Sequence, residues 1–146
     1  MTIVMVVAIV AAGLFAGASM YVTVAEHPAR IESGAAVAVK HFGPSARRAA
    51  VMQGSLAVVG LVSAAVAWSQ GSGTGWLLGG LLLGAMVPFT LIVIMPTNRR
   101  LLDASLDTGS AEATELLRRW GRLHLVRTVV GVAVFGLFVG IALRSQ

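Results

Sequence analysis

The chain has 146 residues, the length of one domain. Hydrophobic residues make up 57% and charged residues 12%, against about 45–50% and about 25% in soluble domains. Disorder is excluded, since disordered chains are polar and charged. A soluble fold of this size is also disfavoured, because it lacks the interior to hide so much apolar surface. There is no cysteine, so disulfides, thiolate metal sites and cysteine nucleophiles are excluded. In such a chain the net charge of +5 reports membrane orientation, and no nucleic-acid partner is expected.

A membrane helix needs about 20 apolar residues to cross about 30 Å of hydrocarbon. The first charged side chain is Glu26, so span 1 is expected over 3–24. It lacks the basic start of a signal peptide and is longer than the usual signal core, so it reads as retained. No charge occurs from Ala49 to Asn98. The polar turn SQGSGTG at 69–75 divides that stretch into span 2 at about 48–68 and span 3 at about 75–96. Trp68 and Trp76 flank the turn and are expected at the membrane interface. Pro88 is expected to kink span 3. Span 4 is expected over about 123–143, with His124 and Arg127 in its first turn, near a membrane surface. The expected fold is an all-α membrane protein, a single domain over 1–146 forming a four-transmembrane-helix antiparallel bundle. Gly13/Gly17, Gly80/Gly84 and Gly136/Gly140 recur at four-residue spacing. They allow close approach within the bundle, or of a partner helix, so a homo-oligomer stays open.

The 1–2 loop is expected to hold Arg30, Lys40, Arg47 and Arg48, with His41 solvated. The segment from span 3 into span 4 holds Arg99, Arg100, Arg118, Arg119, Arg122 and Arg127, leaving Arg144 alone on the other side. Basic loops stay cytoplasmic. The expectation is a multi-pass protein of the plasma (inner) membrane with both termini outside. Arg47, Arg48, Arg99 and Arg100 read as interfacial anchors. Two short cytoplasmic amphipathic helices are expected. One covers 99–106, capped by Thr97 or Asn98. The other is capped by Ser110, with Glu112 in its first turn and Glu115–Arg119 at pair spacing, and runs on into span 4.

The reactive side chains collect at the cytoplasmic end. Glu26 and His27 end span 1, Asn98 comes just after span 3, and Trp120, His124 and Arg127 open span 4. The last three share one helix face, continued by Gly131 and Val134. On span 1, Gly13, Gly17, Met20, Val24 and His27 line up in the same way. Ionisable groups at the rim of a membrane bundle are functional candidates. Two histidines and a carboxylate are also the ligand types of some metal sites. Neighbours such as Glu26 and His27 face different ways on a helix, however. There is no HxxxH or ExxH pair, and no metal ligands are assigned.

Several stretches carry a family resemblance. They are Gly17 and then Glu26-His27-Pro28, Val87-Pro88-Phe89-Thr90, 95–101 (MPTNRRL) and 117–128 (LRRWGRLHLVRT). With these the chain resembles the anthrone oxygenase-like integral membrane proteins, many of which have no assigned role. The resemblance implies a monooxygenase that oxidises an anthrone-like or other small hydrophobic aromatic substrate with O2, without a metal or flavin. The residues that match are Glu26, His27, Asn98, Trp120, His124 and Arg127. Their chemistry fits: His124 as general base, with His27 as rival and Glu26 to orient a histidine or carry the proton away. Arg127 and Asn98 would meet the developing oxyanion, and Trp120 would stack on the substrate. Three other readings stand beside it. One is a non-enzymatic binder or carrier of small hydrophobic molecules. Another is a structural membrane subunit. The third is an oxidoreductase with a metal or haem at His27 and His124.

Overall fold

The computed structural model describes residues 1–144. It contains four helices long and apolar enough to cross a membrane, Ile3–Glu32, Ala35–Ser69, Thr74–Leu101 and Ala111–Arg144. These are spans 1 to 4. Span 1 packs on spans 2 and 4, and span 3 closes the ring against the same two. The four-helix membrane bundle expected from the sequence is the observed fold.

The turns are shorter than the charges suggest. Spans 1 and 2 are joined at Ser33 and Gly34 alone. Gly34 sits at φ 91°, a left-handed conformation that glycine adopts without steric cost. Its N–H donates to the Ile31 carbonyl at 3.0 Å. The long 1–2 loop is therefore replaced by helix. Span 2 starts at Ala35 instead of near residue 48, and Pro44 lies inside it. Lys40, His41, Arg47 and Arg48 are spread along this extension. A helix satisfies its own backbone, so it can leave the hydrocarbon and continue into water. The run of charges therefore does not mark a helix end.

The connection between spans 3 and 4 also differs. Span 3 runs to Leu101, and 102–110 are turns, so no separate helix covers 99–106. Ser105 donates its N–H at 2.8 Å and its hydroxyl at 2.7 Å to Asp103 Oδ1. These two bonds hold the Asp103 carboxyl below the usual carboxylate range. Ser110 caps span 4 as expected, its hydroxyl oxygen accepting the Ala113 N–H at 3.1 Å. Glu112 lies in the first turn. Glu115 reaches Arg122 at 2.8 Å instead of Arg119.

Packing divides two further sets of residues. Trp76 is buried and stacks on Phe138, centroids 4.9 Å apart, while Trp68 stays exposed. A Cβ on Gly13, Gly80 or Gly84 would touch Phe135, Ala64 or Leu61, but Gly17, Gly136 and Gly140 meet nothing within 4 Å. Span 3 is interrupted at Ala85, three residues before Pro88. Proline has no N–H for the carbonyl four residues back, here that of Gly84, so its effect falls there.

Two π turns shape the half of the bundle that carries the candidate residues, Val22–Glu26 in span 1 and Thr90–Ile94 in span 3. Such turns insert one residue into the helical repeat. At about 100° per residue, the side chains beyond the turn are swung round the helix axis.

Candidate active site

Span 4 supplies one wall. Leu117, Trp120, His124, Arg127, Gly131 and Val134 are all buried. Their spacing alternates three and four, the seam of a helix packed along its length. Trp120, His124 and Arg127 therefore point into the bundle, as their common face requires. Span 1 is rotated from its expected face. Its buried stripe is Ala8, Ala12, Phe15, Ser19 and Val22. Met20 and Val24 are 45% and 69% exposed. The π turn at Val22–Glu26 then swings His27 back to a half-buried position.

Both histidines touch Trp120. The His124 ring stacks on it, centroids 4.8 Å apart and planes 25° apart. The His27 ring lies 5.1 Å away, tilted by 50°. Phe42 meets the indole edge-on at 5.3 Å. The Arg30 guanidinium carbon lies 5.8 Å from the indole centroid.

A narrow cleft of about 30 Å³ opens inside the bundle. Arg30, Ser45, Gln53, Asn98, Trp120, His124 and Arg127 line it. Four of the sequence candidates thus share one cavity. His27 does not; with Thr23 and Arg122 it lines a groove between spans 1 and 4 that also reaches Trp120 and His124. Glu26 orients no histidine. It is bonded to Arg30 and accepts the Ser45 hydroxyl at 2.6 Å. Arg30 also donates to Ser45 at 3.1 Å.

One order of protons through the neighbouring hydroxyls leaves Nε2 of His124 free. In that order Thr128 donates its hydroxyl to the Ser19 carbonyl at 3.1 Å and accepts from Thr23, 2.7 Å away. Thr23 has then used its one proton. At 3.2 Å from His124 Nδ1, it acts as acceptor, and Nδ1 carries the hydrogen. In a neutral imidazole this leaves Nε2 with the free lone pair.

Polar atoms without partners collect at the cleft. Arg30 Nε, Gln53 Nε2, Asn98 Oδ1 and Arg127 Nε are buried and unpaired among the described residues, and all four side chains line this cavity. Buried polar groups left without a partner are unusual and costly. Arg127 donates to Gln53 Oε1, which also accepts the Ser19 hydroxyl at 3.3 Å. Among the described residues no group of three metal-ligating side chains converges.

Gln53 and Arg30 are absent from the sequence candidates. Gln53 is an amide in mid-span, 1% exposed, and that position was its signal. Arg30 is 6% exposed; counting it as a loop charge hid it.

The family model for anthrone oxygenase matches residues 42–137. That range takes in Gln53, Asn98, Trp120, His124 and Arg127 but not Glu26, His27 or Arg30. Anthrone oxygenase tpcL of Aspergillus fumigatus is 28% identical over 132 residues, covering 84% of this chain and 82% of that protein. No solved structure gives a significant match. With most of its length under that family model, and a curated anthrone oxygenase aligned along nearly all of it, the chain belongs to the anthrone oxygenase family.

Proposed function

We propose that this chain is a membrane oxygenase that works without a cofactor, using O2 on an anthrone-like or other small hydrophobic aromatic substrate. Arg127 carries the reading. It is 7% exposed and lines the cleft beside His124. It has no carboxylate partner among the described residues, and its Nε has no acceptor. A buried cation without a counter-charge is costly, and within a membrane bundle it marks a site where something negative binds or forms.

An anthrone provides that charge. Its methylene is flanked by two aryl rings and is acidic. Removal of one proton leaves an anion whose charge reaches the ketone oxygen. His124 Nε2 is the base, held in the right tautomer by Thr23. Arg127 and the Gln53 amide donate to the oxygen on which charge develops. Asn98 Oδ1 accepts a substrate hydroxyl, and Trp120 forms an aromatic wall. The anion passes one electron to O2. The carbon radical and superoxide combine and take up a proton, giving a hydroperoxide. Loss of water leaves the quinone. One oxygen atom ends in the new carbonyl and the other in water, which carries away both methylene hydrogens.

In this reading Glu26 holds Arg30 and Ser45 in place, and His27 stands outside the reaction. In this reading the cleft faces the cytoplasm and both termini lie outside, which the excess of basic residues at this end supports. The test is oxygen uptake by purified protein in detergent, offered an anthrone, with and without a chelator. Uptake that requires His124 and ignores the chelator is expected. Full activity in His124→Ala would overturn the assignment of the base, and loss of activity with the chelator would overturn cofactor independence.

A further inference from the structure

The polar cleft does not end at Arg127. A second, roomier chamber of about 100 Å³ shares Ala50, Gln53, Thr90 and Arg127 with it. The remainder of its lining is apolar and includes Phe15, Ala57, Met86 and Leu91. The chamber lies between spans 2 and 3. These spans pack closely along Thr74–Gly84 and separate beyond Ala85, on the side of Pro88 and the π turn Thr90–Ile94. At the gap Leu91 is 59% exposed and Ala50 is exposed. A Cβ on Gly54, at the chamber wall, would meet nothing within 4 Å.

We infer that this chamber is the subsite for the substrate's ring body, loaded sideways from the bilayer through the gap between spans 2 and 3. The inference rests on the oxygenase reading for the identity of the substrate. The occupant is a flat aromatic molecule with a polar edge. The unpaired Gln53 Nε2 and Arg127 Nε sit where the two chambers join, so the polar edge goes inward and the rings stay in the apolar part. Small-molecule sites are built in this way, mostly apolar with a few placed polar groups. A molecule dissolved in lipid reaches such a chamber without crossing the charged cytoplasmic end.

The test separates this from the chemistry. The probe is a dihydroxyanthraquinone, coloured and already oxidised, bound to the protein in lipid vesicles and read by its visible absorbance. The variants are Gly54→Phe, with Gly54→Leu as a smaller second change, and Gly136→Phe as a control. Gly136 also has open space around it and lines neither chamber. Filling the chamber is expected to weaken binding by about tenfold or more, with the control binding like wild type. Unchanged binding in both Gly54 variants overturns the chamber alone. Binding by wild type without oxygen uptake from an anthrone overturns the oxygenase reading alone. No binding by wild type overturns the chamber, and oxygen uptake from an anthrone then decides the oxygenase reading by itself.

Discussion

A Cβ on Gly121 would lie 2.6 Å from Nε2 of His27. The glycine is the space into which the His27 ring fits as it packs against Trp120. Gly121→Ala must therefore push His27 outward. Overpacking of this kind costs about 1–3 kcal/mol, read as a lower melting temperature in detergent. His27→Ala removes the obstacle, so the double variant should recover most of the loss. Strictly additive losses would show that the two residues are not coupled.

The proposed base needs its hydrogen on Nδ1, held there by a Thr23 hydroxyl that lies 3.2 Å from Nδ1 and 2.7 Å from the Thr128 hydroxyl. Thr23→Val removes the acceptor but keeps the shape. One lost hydrogen bond of about 1–1.5 kcal/mol corresponds to about a tenfold fall in kcat, with KM little changed. Thr23→Ser should retain activity. Nitrogen NMR of the His124 ring should show Nδ1–H in the wild type and a mixture of tautomers in Thr23→Val. An unchanged tautomer with lost activity would make Thr23 a substrate contact instead.

The glycine pairs divide by neighbour, and spacing alone could not tell them apart. At Gly80 a Cβ would come within 2.8 Å of the Ala64 Cβ and 3.4 Å of the Leu61 carbonyl oxygen. Backbone cannot yield cheaply, so Gly80→Val should cost several times more stability than Gly136→Val, which faces open space. Thermal unfolding of the two variants side by side is the check. Equal losses would mean that Gly136 is covered, as in an oligomer.

Span 4 was legible because its pattern is regular. A strict alternation of three and four places Trp120, His124 and Arg127 on one face, and the observed helix keeps it. Ser110 was legible because capping is local. Span 1 was not, because the π turn at Val22–Glu26 breaks the period that the expected face assumed. The start of span 2 was hidden for another reason. Charges set where hydrocarbon ends, and the helix from Ala35 continues past that point. The same error moved Arg30 into a loop, although it is buried against Glu26 and Ser45. Gln53 has no charge and belongs to no motif; an amide in mid-span was its one signal, and its contact with Arg127 shows what it serves.

Arg127→Met separates function from structure. The methionine keeps an unbranched apolar stem where the guanidinium carbon now sits 5.5 Å from the Phe15 ring centroid, and thioether sulfur packs well on aromatic rings. Gln53 Oε1 still accepts the Ser19 hydroxyl, so no new unpaired oxygen is created. The change removes a buried charge that has no carboxylate partner among the described residues, and replacing buried ionic groups by apolar ones is often neutral or stabilising. The melting temperature should therefore hold or rise. Losing a donor to a developing oxyanion costs about 100- to 1000-fold in kcat. Oxygen uptake should fall by that factor while the variant stays folded. A variant that melts well below wild type would show instead that Arg127 serves the bundle through Gln53, and the assignment of an oxyanion site would have to move to Asn98 and Arg30.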